Sequence, residues 1–323
     1  IPTTLKNGEQ NCTIPSFRGD IEFMADIAEE VMRIYGYDHI HGTPMNGAVM
    51  RGTVTPDRAL DDHLKALLCA NGMDEITTYS FIGSKDIDLL ELPEEDARRR
   101  AITILNPLGD EFSTMRTQLI TSMLKVLATN SNRKIPAGRF FEVSKRFIPH
   151  SLPLTCQPQE LKTLSIGMYG ESEDFYTLKG VIEQIATLQG VEFSFDRCTE
   201  PYLHPGRRAK ATLNGELIAV FGELHPAVAA KADLNRRVYV AEVYLNRLLQ
   251  IKKSLVIYNP LPRFPAVNRD LALLCDSAVP VGELMQTIRT AGGKLLESVS
   301  LFDIYEGEQI PAGKKSVAFN LTL

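Results

Sequence analysis

The chain has 323 residues, 44% of them hydrophobic and 23% charged, with a formal net charge of −5. Such a length suggests two or three units with their own cores, and the negative balance argues against a protein that coats nucleic acid through its overall field. Any RNA contact has to be local or carried by another chain. No apolar run approaches the roughly 20 residues that span a bilayer. No charged-then-apolar leader opens the sequence, and the start at Ile1 rather than Met fits a fragment. Cys12, Cys69, Cys156, Cys198 and Cys275 lie far apart with no C-x-x-C pair. That spacing indicates neither a zinc knuckle nor a disulfide framework, and reduced thiols in the cytoplasm are expected.

Asn7-Gly8 marks a hairpin. The run from Arg18 to Tyr37 then reads as one amphipathic helix, with Phe23, Ile27, Val31 and Ile34 on an apolar stripe. Asp20 is the expected N-cap and Gly36 the left-handed stop. Glu22, Asp26, Glu29 and Glu30 share the polar face at like-charge spacings, with Arg33 as the only nearby cation. Each repulsive pair costs about 0.2–0.5 kcal/mol on an isolated helix, so the face is either solvated or matched by a cation or a basic partner. Pro44 and Pro56 bracket a connector.

A helix over 57–70 carries Leu60, Leu64, Leu67 and Leu68, and Gly72 stops it. Residues 76–81 alternate as a strand, 91–100 form a charged loop or helix, and 102–105 a short strand. A helix over 117–130 follows, then strands over 140–143, 164–169 and 191–195, the last two flanking a helix over 176–189. Asn214-Gly215 joins two strands over 210–213 and 216–221. A strand over 238–243 leads into a helix over 245–250. Hairpin-linked strands with helices between them predict an antiparallel α+β core. Lys252 to Pro262 is a proline-containing linker. After it, strands over 270–275, 298–305 and 316–323 and a helix over 281–291 follow the β-α-β-β order that begins a ferredoxin-like split unit. Its expected core is Leu271, Leu273, Leu284, Ile288, Phe302 and Phe319.

Several signatures fail on inspection. His39-Ile40-His41-Gly42 has the class I synthetase order wrong and lies past a helix stop. Gly313-Lys314-Lys315-Ser316 precedes a strand, whereas a phosphate loop opens a helix. No G-x-G, G-x-S-x-G, H-E-x-x-H or paired Cys/His cluster exists. Tyr202 to Arg208 and Phe221 to Pro226 read as proline-containing turns at strand ends. Arg98-Arg99-Arg100, Arg236-Arg237 and Lys252-Lys253 are basic runs, either solvated surface or contacts for RNA phosphates.

Three stretches carry a family resemblance in one order. The first is Pro15-Ser16-Phe17-Arg18 with Asp20-Ile21, Asp26 to Val31 and Arg33 to Tyr37. Next comes Asn106-Pro107-Leu108 running into Ser113-Thr114-Met115-Arg116-Thr117. The third is Phe264 to Val267 with Arg269 to Leu273 and Leu301 to Tyr305. Together they resemble the β chain of bacterial phenylalanyl-tRNA synthetases over nearly all of the sequence. The resemblance implies part of a winged-helix-like module over 1–45, a class II synthetase-like core with an antiparallel sheet over 46–251, a linker over 252–262 and a truncated ferredoxin-fold anticodon-binding domain over 263–323.

It further implies a subunit of phenylalanine–tRNA ligase, the α2β2 enzyme that attaches phenylalanine to tRNA(Phe) with ATP. The α subunit then binds ATP and phenylalanine, while the β chain supports assembly and tRNA binding. The N-terminal tRNA-binding and editing regions of such a chain, and its extreme C-terminus, are absent from this sequence. A catalytic class II core needs Phe-Arg-x-Glu and a glycine-rich segment ending in arginine. Arg139-Phe140-Phe141-Glu142 has the wrong order, and no glycine-rich counterpart exists, so no catalytic residue is expected and the chain alone should be inactive. Matched residue by residue, the family's Mg2+ carboxylates fall on Asp20, Asp26, Glu29 and Glu30. Arg269, Lys314 and Lys315 are the candidates for RNA contact in the last unit, against the plainer role of lysines guarding a sheet edge. The rival reading is a non-enzymatic RNA-binding or scaffold protein built from synthetase-derived domains.

Overall fold

The computed structural model describes residues 1–251, 258, 260, 264–307 and 309–323. The chain divides into two compact units, Ile1–Thr53 and Val54–Leu323.

In the first unit, β1 (Thr3–Lys6) and β2 (Glu9–Cys12) form the expected hairpin. Its turn places Asn7 at φ 50° and Gly8 at φ 83°, the left-handed pair that a two-residue turn between twisted strands requires. Helix α1 (Met24–Tyr35) starts later than the sequence suggests, with Phe23 at the N-cap position. Asp20 therefore lies outside the helix. Asp26, one turn in, does the capping instead, accepting from the backbone N–H groups of Glu22 at 2.8 Å and Phe23 at 2.7 Å. Gly36, at φ 102°, ends α1 as expected. No residue of α1 is buried, and Phe23, Met24, Val31 and Ile34 are exposed.

The second unit opens with α2 (Pro56–Ala70), capped by the Thr55 hydroxyl. There follow β3 (Asp74–Glu75), β4 (Phe81–Ile82), β5 (Thr114–Met115), α3 (Ile120–Asn132), β6 (Gly138–Ile148) and β7 (Gln159–Tyr169). Then come α4 (Phe175–Gln189), β8 (Ser194–Asp196), β9 (Leu203–Leu213), β10 (Glu216–Leu224), α5 (Pro226–Lys231), β11 (Tyr239–Tyr244) and α6 (Leu245–Leu248). The central sheet runs β3-β6-β7-β11-β10-β9-β8, antiparallel except for the β3–β6 pair. This is the α+β, antiparallel-rich architecture that the pattern predicts. Alternation along the strands builds two cores. On one face Phe141, Ile166, Ala241 and Phe221 stand in a cross-strand row beneath Leu60, Leu64 and Leu68 of α2 and Leu178, Ile182 and Ile185 of α4. On the other, Phe140, Val220 and Val240 pack under Met123, Leu124 and Leu127 of α3 and Val228 of α5.

Two expected strands fail locally. Residues 76–80 leave the sheet because Thr78 gives its backbone N–H (3.1 Å) and its hydroxyl (2.7 Å) to the Glu142 carboxylate. Residues 102–105 contribute only an isolated bridge, Thr103 to Thr114. Nor is Tyr202 to Arg208 a turn. From Leu203 onward it is the start of β9, while His225-Pro226 caps and opens α5.

The last portion comprises β12 (Asn268–Asp276), α7 (Val281–Gly292), β13 (Ser298–Tyr305) and β14 (Lys314–Thr322), with strand order β12-β14-β13. The β-α-β-β order and the central third strand are those of a ferredoxin-like unit. Leu273, Leu284, Ile288 and Phe319 join its core as expected. Phe302 does not, because a bulge between Leu301 and Asp303 turns it out to 59% exposure. Leu271 is half-buried outside that cluster, and Val299 and Val317 fill the centre instead. The expected linker over 252–262, with its Lys252-Lys253 pair, lies almost wholly outside the described residues.

Helix α3 approaches the sheet closely at Gly167. A Cβ there would meet Met123 at 2.6 Å and Leu127 at 2.8 Å. Gly167→Ala should destabilise the second unit by about 1–3 kcal/mol, the usual cost of overpacking a filled core. Gly180→Ala in α4, where a Cβ meets nothing within 4 Å, should be neutral or stabilise by up to about 1 kcal/mol. Urea unfolding of the two variants checks both signs.

Candidate functional site on the acidic helix, the terminal sheet and the central sheet

The acidic face of α1 is organised by a cation that the sequence reading passed over. Arg18 donates to Asp20 at 2.7 Å and to Glu30 at 2.7 Å, and Arg33 donates to the other oxygen of Glu30 at 2.7 Å. Hydrogen bonds from Arg18 first, then from Arg33, hold the Glu30 carboxyl down at about 2. Asp20 is lowered chiefly by Arg18, and Asp26 by the backbone N–H groups of Phe23 and Glu22. Glu29 is exposed. The structure thus brings Asp20 and Glu30 together through a guanidinium, spends Asp26 on the helix start and leaves Glu29 apart. Carboxylate oxygens are the donors that Mg2+ prefers, yet here Arg18 already fills the place of the counter-ion. As arranged, the four acids do not fit a magnesium ion. Among the described residues no group of three or more His, Cys, Asp or Glu side chains could hold a metal.

The three basic candidates of the terminal sheet do not form one patch. Arg269 lies opposite Leu321 and Lys315 opposite Cys275, so both follow the α7 side of the sheet, six positions apart along β12. Lys315 is buried, with its ammonium on the Ser277 carbonyl at 3.1 Å, and is withdrawn from any RNA surface. Lys314 is on the opposite face, 3.4 Å from Asp276. That open face also carries Asp270, Asp303, Ser300, Ser316 and Asn320 and holds little positive charge.

In the central sheet, Arg139 and Glu142 point to opposite faces. Arg139 bonds Glu173 at 2.9 Å and the Asn71 carbonyl at 3.0 Å. Glu142 faces the fully buried Arg116 at 3.4 Å, which also bonds Thr78, Ser144 and the Lys145 carbonyl. On the same row Glu242 accepts from the Leu119 N–H at 2.5 Å, at the start of α3. Burial raises its pKa and that N–H works against the rise. Two of the three arginines at 98–100 are also paired within the chain. Arg98 clamps Asp96 and Glu200 at 2.7 and 2.9 Å, and Arg99 bonds Asp88 at 2.7 Å. An open cleft of about 550 Å³ beside α3 is lined by Tyr79, Phe81, Ile82, Phe112 and Val126, and its one cation, Lys125, is paired with Asp86. Such a lining offers nothing to the phosphates of a nucleotide.

The family model described as the phenylalanyl tRNA synthetase beta chain CLM domain matches residues 40–245. The chain belongs to the phenylalanyl-tRNA synthetase β-chain family. The tRNA synthetase B5 domain matches residues 3–37, and the ferredoxin-fold anticodon binding domain matches residues 262–323. The phenylalanine–tRNA ligase β subunit of Clostridium tetani is 40% identical over 99% of this chain and 41% of its own length. That of Clostridium acetobutylicum is 37% identical over 100% and 41%, and that of Staphylococcus aureus 34% over 95% and 39%. The chain therefore spans about two fifths of the curated relatives it matches. Among its described residues, no helix is long and apolar enough to cross a membrane.

Arg18 and Arg116 are the residues that sequence reasoning missed. Both lie in stretches that carry the resemblance, and neither periodicity nor spacing marks an arginine as internal. Because Glu30 is held low by its two arginines, the stability it contributes is complete above its unfolded value near 4.5. That contribution is lost as the pH falls through about 2. Carboxyl titration followed by NMR should show Glu30 titrating near pH 2 in the wild type and returning toward its ordinary range in Arg18→Gln.

Proposed function

We propose that the chain is a non-catalytic segment of a phenylalanine–tRNA ligase β subunit, which supports ATP-dependent charging of tRNA(Phe) by assembling with the α subunit and docking the tRNA. ATP and phenylalanine then bind on the α chain of an α2β2 complex. The observation that carries this reading is the filled central sheet. Both faces are covered by helices, Gly167 leaves no gap beneath α3, and Arg116 and Arg139 are already bonded to Glu142 and Glu173 within the chain. Adenylate formation depends on positive charge held ready for phosphates, and these two guanidiniums are committed to carboxylates instead. A division of the chain at 1–45, 46–251 and 263–323 goes with the proposal, the last portion serving the anticodon arm. Free thiols at all five cysteines suit a reducing cytoplasm. In the proposed complex the α1 acids face the α subunit, and the family's assignment of Mg2+ to Asp20, Asp26, Glu29 and Glu30 would need Arg18 to release both its partners.

The purified chain should give no phenylalanine-dependent ATP–pyrophosphate exchange. Co-expressed with an α chain from the same genome it should co-purify and support aminoacylation of tRNA(Phe). Robust exchange by this chain alone, or no capture of the α chain, overturns the reading. For the acidic helix, added Mg2+ should leave the melting temperature of the isolated chain unchanged, since Arg18 already supplies the charge. A rise present in the wild type and absent from an Asp26→Asn/Glu30→Gln double variant would show that the ion displaces the arginine.

A further inference from the structure

We infer that the cleft between the Gly170–Ser172 loop and Asn235–Arg237 binds the phosphodiester backbone of RNA, separately from the terminal sheet. The inference rests on the proposed role in tRNA docking. The cleft has a volume of about 720 Å³ and is lined by the loop over 170–172 together with Pro136, Ala137, Asn235, Arg236 and Arg237.

Several arginines of the second unit are paired with carboxylates, whereas Arg236 lines an open cleft and has no acidic partner among the described residues. It donates to the carbonyls of Pro136 at 2.8 Å and Ile135 at 3.4 Å, and its guanidinium lies 4.9 Å from the ring centre of the buried Tyr169. That stacking and those carbonyls fix the plane of the group while leaving its charge uncompensated. A guanidinium so held loses little freedom on meeting a phosphate. Arg237 is 73% exposed at its side chain and reaches only Glu223, at 4.0 Å, a carboxylate that Arg207 already grips with both oxygens. Arg133 and Lys134, exposed and adjacent in sequence to the carbonyls that Arg236 bonds, extend the basic rim, also without acidic partners among the described residues. Opposing them are Glu171 and Asp233, and Asp233 is bonded to the Asn132 amide at 2.7 Å. An open cleft with a basic rim on a chain of net charge −5 selects an extended polyanion and reads no base edge.

The test uses the full chain and a labelled tRNA transcript, with binding measured from about 50 to 200 mM salt and capture of the α chain scored in parallel. Arg236→Gln/Arg237→Gln should weaken binding about tenfold at the low-salt end and reduce the slope of log K against log salt by about 1.5, since each phosphate contact contributes roughly 0.7–0.9. Arg236→Lys/Arg237→Lys should restore most of both. Glu171→Gln, an exposed position with no hydrogen bond to lose among the described residues, should strengthen binding two- to threefold and so reads the site without risk to the fold. Unchanged affinity and slope in the glutamine pair and in Glu171→Gln, with α-chain capture intact, would overturn this inference and leave the proposed function standing. A wild type that captures neither the α chain nor tRNA would overturn both. Variants that alter binding of inorganic tripolyphosphate but not of tRNA would reduce the cleft to a small-anion site and overturn the RNA assignment.

Discussion

Glu142 and Glu242 flank Ser165 in the middle of the central sheet, on the face that α3 covers. Everything on that side of the molecule depends on satisfying those two carboxylates. An isolated buried carboxylate is prohibitively costly, and one that loses its partner typically costs 3–5 kcal/mol. Glu142 is met by Arg116, a residue with no exposed surface, and by Thr78, which has left the sheet to reach it. Glu242 is met by the first free N–H of α3, where a negative charge is also favoured by the helix dipole. The helix start is thereby pinned over the sheet, and Met123 and Leu127 come down on Gly167. A catalytic sheet needs a vacant, cation-rich face. Here the same area is occupied by the helix that the carboxylates anchor.

The same logic recurs in the first unit on a smaller scale. Four acids on and beside one helix demand compensation, and the chain supplies it locally through Arg18, Arg33 and the helix's own first N–H groups. In the second unit Arg98, Arg116, Arg139 and Arg207 are likewise consumed by carboxylates. Arg236 differs from these four in being held in place by carbonyls and a tyrosine ring at the lip of an open cleft, where its charge is available to something outside.

The sequence made the regular elements legible wherever one face of an element meets a core. Leu60, Leu64 and Leu68 marked α2, the Asn7-Gly8 and Asn214-Gly215 turns fixed both hairpins, and the β-α-β-β order of the last unit was readable from period alone. It failed where side chains compete with the backbone for hydrogen bonds. Residues 76–80 carry a strand pattern but answer to a carboxylate 64 residues away at Glu142. Phe302 alternates correctly until a bulge shifts the register by one and turns it outward. The site was less legible than the fold. The acids of α1 could be listed from the sequence, but Arg18 lies two residues before Asp20 and twelve before Glu30, and only the chain's turn before α1 makes it the bridge between them.

The basic residues show why charge runs read poorly from sequence. Arg98-Arg99-Arg100, Arg236-Arg237 and Lys314-Lys315 look alike as strings. Burial and pairing separate them. Arg98 is an internal clamp, Lys315 is folded under a loop carbonyl, and Arg236 is fixed yet unpaired. A strand places successive side chains on opposite faces, so Lys314 and Lys315 could never act together on one phosphate. Arg236 and Arg237, in the loop before β11, are free of that alternation and line one cleft. Two neighbouring cations serve a polyanion only where the backbone lets them turn the same way, and in this chain that condition is met before β11 and not at the start of β14.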